Sequence, residues 1–279
     1  MILVVSDVHL GFDDCNHEAF SRFLDEYQDE EIDHLVLLGD ILDFWRRNNA
    51  ELVQDNNDIL SKLNNLKAGK IHYIAGNHDY YILDLVKRNY TLNSDKQYNI
   101  DDKVTVSKSL RLKSGTGEKE KSFFFIHGYE LEFIRWEVQA SLESYENICN
   151  EMCFNGNLIG KAESEIWDIP KEIGKFFNLL KTKLPSTGRD EFIQAISESP
   201  NKRRDIDKVY NFAISSGKNY LLGMKPNETL VYGHTHRPFI TKDKTVANTG
   251  SWINELKDKT QQNSYVEIVD GEMELKFFK

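Results

Sequence analysis

Five short stretches of this 279-residue chain carry side chains able to bind a hard or borderline divalent metal. They are Asp7-Val8-His9, Gly39-Asp40-Ile41-Leu42-Asp43, Gly76-Asn77-His78-Asp79, His127-Gly128 and Gly233-His234-Thr235-His236. In a loop at a strand end, residues i and i+2 can point their side chains the same way, so the Asp7 carboxylate and the His9 imidazole can meet one ion. His234 and His236 stand in the same relation. Glycines at 39, 76 and 233 permit tight turns that let backbone approach such a site. Five of the eight histidines fall in these stretches, while His17, His34 and His72 do not. Each stretch alone has a plainer interpretation. Gly39-Asp40 could be a turn, Gly76-Asn77 a strand-to-helix connection with an Asn cap, and His127 a hydrogen-bonded histidine at a strand end. Asp43 could be a solvated carboxylate at a helix start, and Asp79 the cap of the next helix. Together they favour metal chemistry, because all five recur at one kind of position, at or just after the end of a predicted strand.

The elements that must position these residues are legible from apolar patterning. Met1 to Ser6, Leu35 to Leu38 and Ile71 to Ala75 read as buried strands, with helices from His17 to Gln28 and from Asp58 to Leu66 between them. Strands alternating with helices predict parallel βαβ units, in which ligands collect beyond the carboxyl ends of the strands. From Tyr98 the strands become short: Val104 to Ser107, Leu110 to Leu112 and Phe123 to His127. After Glu228 the pattern resumes with Thr229 to Tyr232, Phe239 to Thr241, Thr245 to Ala247, Tyr265 to Val269 and Glu274 to Phe278. Turn-linked short strands predict an antiparallel second half. Between these regions, Gly128 to Glu228 reads as mostly helical. Leu131, Ile134, Trp136, Val138, Leu142, Tyr145, Ile148 and Met152 form the apolar side of one helix, and Pro170, Pro185 and Pro200 punctuate the rest.

Composition narrows the function classes. There are 35 Lys and Arg against 45 Asp and Glu, a net charge of −10, which disfavours general affinity for nucleic acid or an anionic membrane. A bound metal would still present local positive charge to a phosphate. Three cysteines without paired metal-ligand spacing point to a reducing compartment rather than a disulfide framework. Met1 to Val5 is too short for a signal-peptide core, and no apolar stretch approaches about 18 residues. The expectation is a cytoplasmic protein.

In order and spacing these motifs resemble those of the calcineurin-like metallophosphoesterase superfamily: D-x-H, G-D-x-x-D, G-N-H-D/E, H and G-H-x-H. All five are present, from Asp7 to His236. The resemblance implies an α/β fold, a four-layer α/β/β/α sandwich, here as one domain over residues 1–279 with a helical insertion at about 128–228. It implies a two-metal centre with Asp7, His9 and His236 on one ion, Asn77, His127 and His234 on the other, and Asp40 bridging. The ligand types suit Mn²⁺ first, or Fe or Zn²⁺, and argue against Mg²⁺ or Ca²⁺ alone. Hydroxide on the metals is the implied nucleophile. His78 is implied as general acid or charge stabiliser at the leaving oxygen, oriented by Asp43.

Asp43-Phe44-Trp45 and His234-Thr235-His236-Arg237-Pro238 look like the subgroup of UDP-2,3-diacylglucosamine pyrophosphohydrolases. This chain departs from it at His78, where that subgroup usually has Arg, and at Tyr129, where it has an acidic residue. The resulting expectation is hydrolysis of a phosphodiester or pyrophosphate bond in a small-molecule, nucleotide or lipid-linked substrate. Arg46 and Arg47 are candidate phosphate contacts. The alternatives are a metal-dependent nuclease, disfavoured by charge, and a scaffold without catalysis, disfavoured because no motif residue is missing. A protein phosphatase is disfavoured by Phe44, where that group has Arg. In the insertion, Phe133, Trp136, Trp167, Phe176 and Phe177 read as packing residues, and Lys202-Arg203-Arg204 as an exposed basic helix start or an anion clamp. A lid role and peripheral membrane contact through the insertion both stay open, as does the oligomeric state.

Overall fold

The structure, a computed structural model, describes residues 1–135, 141–154, 206–254 and 258–279. Its architecture follows from strands that are apolar on both faces. In β1 (Ile2–Val5), Leu3 and Val5 pack with Phe20, Phe23 and Leu24 of α1 (His17–Tyr27), while Ile2 and Val4 face a second sheet. In β2 (Ile32–Leu38), Leu35 and Leu37 take the helical side and Val36 and Leu38 the inter-sheet side. Alternate side chains thus feed two separate cores, so the apolar run is continuous in sequence although its period is two.

Beyond β2 the chain passes through α2 (Asn49–Asp55), α3 (Asn57–Asn65), β3 (Ala68–Ile74), α4 (Tyr81–Lys87), β4 (Gln97–Asn99) and β5 (Val104–Ser107). The second sheet begins with β6 (Ser109–Ser114) and β7 (Lys121–Ile126) and is completed after the insertion by β8 (Glu228–Tyr232), β9 (Phe239–Ile240) and β10 (Val246–Asn248). The chain then returns to the first sheet with β11 (Ser264–Val269) and β12 (Glu272–Phe277). Among the described residues the strand orders are β12-β11-β1-β2-β3-β5-β4 and β6-β7-β8-β10-β9. Phe123, Phe125, Val231 and Ala247 of the second sheet meet Ile2, Val4, Val36 and Ile74 of the first in the middle of the sandwich. Helices cover the outer faces: α1 and α3 the first sheet, α7 (Ile206–Ile214) the second, through Val209 and Ala213 against Phe124, Leu230 and Tyr232. This is a mixed α/β fold of four layers.

The second half is mixed rather than wholly antiparallel, with β4–β5 among its antiparallel pairs. β3 pairs with β5, β7 with β8 and β8 with β10 in parallel, while β6–β7, β9–β10, β11–β12 and β1–β11 are antiparallel. Parallel neighbours need a long crossover, and the insertion supplies one between β7 and β8. The consequence for chemistry is direct. β1, β2 and β3 are parallel in one sheet and β7 and β8 in the other, so all five motifs emerge at carboxyl ends of strands.

In the insertion, the helix read from Leu131 to Met152 is two helices, α5 (Tyr129–Arg135) and α6 (Leu142–Phe154). Ser141 starts the second, its Oγ accepting from the Ser144 amide at 3.1 Å. After α7, a short α8 (Gly217–Leu221) leads to β8. Trp136, Val138, Trp167, Pro170, Phe176, Phe177, Pro185, Pro200 and Lys202-Arg203-Arg204 lie outside the described residues. Among the described residues no helix is long and apolar enough to cross a membrane.

In β3, His72 is buried with Nδ1 2.8 Å from Thr105 Oγ1 and Nε2 3.0 Å from His34 Nδ1. Burial, then the neighbouring His34 and Lys70, push its pKa down to about 4. An unfolded histidine titrates near about 6.5. Between those values the unfolded chain holds a proton that the native chain does not, so stability rises with pH across that window. We expect the loss of urea stability between pH 7 and pH 4.5 to be smaller in His72→Gln than in the parent chain. An unchanged difference would show that His72 is not a source of it.

Candidate metal centre

The chain leaves β1 and β2 through abrupt turns. Asp7, His9 and Asp40 have φ of 51°, 52° and 51°, and His234 and His236 after β8 have 66° and 56°. These are left-handed values that cost a non-glycine residue about 1–2 kcal/mol each. They are held by a mesh of backbone bonds between loops. The amides of Asp7, His9 and Leu10 donate to the carbonyls of Gly39, Asp40 and Ile41 at 2.9–3.0 Å, and Gly233 donates to His127 O at 2.8 Å. Phe44 N donates to His78 O at 3.1 Å.

The mesh brings six of the seven candidate metal ligands into two groups. Asp7, His9 and His236 form one group whose ligand atoms lie within 4.8 Å of one another, and Asp40, His127 and His234 form a second. His236 Nε2 is 3.1 Å from Asp7 Oδ1 and 3.3 Å from His9 Nε2. Asp40 Oδ2 sits between the groups, 3.2 Å from His127 Nε2 and 3.7 Å from His9 Nε2. The remaining carboxylate oxygens are oriented by protein donors. The His234 amide donates to Asp7 at 2.9 Å, Ser6 Oγ donates to Asp7, and the His78 amide donates to Asp40 Oδ1 at 2.8 Å.

These residues fit divalent cations. Asn77 Oδ1 and His127 Nε2 are buried without a hydrogen-bond partner, a costly state for polar atoms unless a further group takes their lone pairs. His127 Nδ1 donates to Leu38 O at 2.9 Å, and His9 Nδ1 is 2.9 Å from Asp43 Oδ2, so each ring turns Nε2 toward the centre. Charge agrees. Burial lowers the pKa of His127, yet Asp40 and Asp7 push it up to about 10, so the buried carboxylates attract positive charge strongly. Burial opposes ionisation of Asp40 too, but His127, His78 and His9 hold it well below the usual carboxylate range.

Asp43 is fully buried, not solvated at a helix start. Its Oδ1 is 3.1 Å from His78 Nδ1, its Oδ2 2.9 Å from His9 Nδ1, and Arg46 Nη1 donates to it. Against the effect of burial, Arg46 and His78 hold its carboxyl well below the usual range. Trp45 stacks on His78 with ring centroids 3.9 Å apart and 23° between planes. Arg46 lies over the Phe12 ring at 4.3 Å. Arg47 pairs with Asp55 and lines a cleft of about 250 Å³ with Gly11, Phe12, Cys15, His17 and Asn56.

Asp79 does not cap α4. It is buried and accepts from the amides of Ile41 at 2.9 Å and Gly76 at 2.6 Å and from Tyr73 Oη at 2.6 Å, joining the second and third motif loops. Burial, then Asp40, push it up to about 6. Three further participants carry no motif signal in the sequence. Cys153 of α6 donates its thiol to His78 O at 3.2 Å. Glu132 of α5 is buried with Oε2 2.5 Å from His234 Nε2. Asn248 Nδ2 holds Gly233 O at 2.6 Å and Thr235 Oγ1 at 3.1 Å. An acid in the first turn of a helix carries no signal that separates a buried partner from a solvated one. Tyr129, marked by sequence as a departure, donates to Glu146 Oε1 at 3.0 Å and so anchors α6.

Residues 1–238 match the calcineurin-like phosphoesterase family, and the chain belongs to it. Its members' name describes hydrolysis of phosphoesters, and the histidine and aspartate groups described above are suited to the metals that this family implies. No curated protein matches the chain. Among solved structures it is similar to a dimetal phosphatase from Danio rerio, at 12% identity over 99% of this chain and 94% of that one, with a TM-score of 0.48. It is also similar to a single mutant of Vps29 from Entamoeba histolytica, at 12% identity over 99% and 96%, with a TM-score of 0.37.

All three motif glycines are required by close approach, and a Cβ on Gly39 would lie 2.4 Å from His127 Nδ1. A Cβ on Gly76 would lie 2.2 Å from Asp40 Oδ1, and one on Gly233 would lie 2.4 Å from both Asp7 Oδ2 and Ser6 Oγ. Gly233→Ala is expected to displace Asp7, lower stability by about 1–3 kcal/mol and reduce metal bound per chain. Parent-like urea stability together with parent-like metal content would refute this account of the turn.

Proposed function

We propose that this protein hydrolyses a phosphodiester or pyrophosphate bond of a small-molecule substrate, nucleotide or lipid-linked, at a two-metal centre. The observation that carries this is the convergence of two carboxylate–imidazole groups, Asp7-His9-His236 and Asp40-His127-His234, with His78 beside them in a third group with His9 and Asp43. In this proposal Asp7, His9 and His236 hold one ion, Asn77, His127 and His234 the other, and Asp40 both. The mixture of imidazole, carboxylate and amide favours Mn²⁺, with Fe or Zn²⁺ as substitutes. Bound there, two divalent ions supply Lewis acidity to phosphoryl oxygens and a lowered pKa for a water.

The chain's own residues supply the rest. Asp43 engages His78 at Nδ1, which directs Nε2 toward the substrate side, where the ring holds a proton for the leaving oxygen. Trp45 keeps the ring in that plane. Burial lowers the pKa of His78 while Asp43 and Asp40 oppose that, a balance suited to a group that must both hold and release a proton. Arg46 balances the Asp43 charge and edges the site, and Arg47, ion-paired with Asp55, lines a cleft that would meet the distal part of a substrate. The resemblance of Asp43-Phe44-Trp45 and His234-Thr235-His236-Arg237-Pro238 to UDP-2,3-diacylglucosamine pyrophosphohydrolases favours pyrophosphates over monoesters, and the net charge of −10 favours a small molecule over nucleic acid. A cytoplasmic location and a single domain carrying the insertion complete the proposal.

The test is hydrolysis by the Mn²⁺-loaded protein of a phosphomonoester, a phosphodiester and a nucleotide pyrophosphate. We expect turnover of the last two. Turnover of monoesters alone, or cleavage of single-stranded DNA at low salt in preference to all three, would overturn the substrate assignment. His78→Ala is expected to lower kcat by about 10²–10⁴-fold with metal content intact; loss of both metals in that variant would contradict the role given to His78.

A further inference from the structure

Each histidine of the centre has two ring nitrogens, and only one can face an ion. For His9 and His127 the choice is set by Asp43 and by the Leu38 carbonyl, which take Nδ1. For His234 the contact runs through the other nitrogen, since Glu132 Oε2 lies 2.5 Å from Nε2 with both side chains buried. We propose that Glu132 is a positioning residue that takes the Nε2 proton of His234 as a hydrogen bond and commits Nδ1 of that ring to the ion shared with Asp40, Asn77 and His127. The inference rests on the two-metal reading above.

The physical case has three parts. A buried carboxylate facing an imidazole is stable when the ring donates to it, and a ring that donates from Nε2 carries its lone pair on Nδ1. One ring nitrogen of His234 is within 4.8 Å of ligand atoms of both Asp40 and His127, and the proposal gives that role to Nδ1 because Nε2 faces Glu132. Glu132 is also rigidly mounted. Its neighbour Leu131 is buried with the outer core of the second sheet and Phe133 with the helical core of the first, so α5 grips both sides of the sandwich and the Glu132 backbone has little freedom. A carboxylate so placed orients the ligand and raises its basicity, effects whose removal in other metal sites costs about 10–100-fold in affinity. The insertion therefore contributes to the centre itself and not only to its surroundings.

The proposal is tested by stripping metal from the full chain and from Glu132→Ala and Glu132→Gln, confirming a cooperative melt for each, and titrating Mn²⁺ by calorimetry and electron paramagnetic resonance. The parent is expected to take two ions and show the spectrum of a coupled pair. In Glu132→Ala one ion should bind as in the parent and the other about 10–100-fold more weakly, so that a mononuclear spectrum persists to higher metal. Glu132→Gln, whose amide oxygen still accepts from Nε2, should lie nearer the parent and carries the test if the Ala variant does not fold. Parent-like affinity for both ions in Glu132→Ala overturns the proposal. So does a Gln variant as impaired as the Ala variant, because the carboxylate would then act as a ligand itself. A parent chain that takes fewer than two ions overturns the two-metal reading on its own evidence, before any variant is compared.

Discussion

Two carboxylates, Asp7 and Asp40, are buried almost completely where the strand ends of both sheets meet. Uncompensated, each would be costly enough to favour protonation or unfolding. The surrounding structure is arranged around their compensation. Backbone amides of His234 and His78 donate to them, Ser6 donates to Asp7, and imidazoles crowd the remaining oxygens. What protein groups leave unmet is lone-pair density on Asn77 Oδ1 in particular, an unmet demand that suits the site to a cation.

Holding acids and imidazoles at such distances requires backbone that sequence propensity alone would not choose. Five candidate ligands adopt left-handed φ, and they persist because neighbouring loops over-determine them through backbone hydrogen bonds. Asp79 strengthens the same network by tying the second motif loop to the third. Asp43 joins His9 to His78, so the group assigned to proton transfer and a candidate metal ligand share one carboxylate. The family's chemistry thus rests on a rigid ring of loops, each supported by the next.

Among the described residues, the insertion is coupled to that ring through Cys153 and Glu132. Cys153 of α6 donates to His78 O beneath the third motif, and Glu132 of α5 meets His234 of the fifth. Both contacts come from residues with no motif character, and their partners are distant in the chain. Tyr129 and Glu146 lock α5 to α6, which keeps these contacts in register with each other.

Much of the site was legible from sequence, because metal ligands must be particular residue types and strand-end loops impose short fixed spacings. Asp7, His9, Asp40, Asn77, His127, His234 and His236 could therefore be picked out by type and order, and β1 to β3 by their aliphatic runs. Strand direction in the second half was not legible. Short strands have the same local pattern whether their neighbours run parallel or antiparallel, and the crossovers, through the insertion for β7 and β8, decide between them. The same limit separates Asp43 and Asp79 from ordinary helix-start acids, and hid Glu132 altogether. Local sequence determines which side chains can bind or transfer a proton. Their burial, their partners and the nitrogen each histidine presents depend on contacts across 38 residues for His78 and Asp40, or 102 for His234 and Glu132, and only the folded chain brings those together.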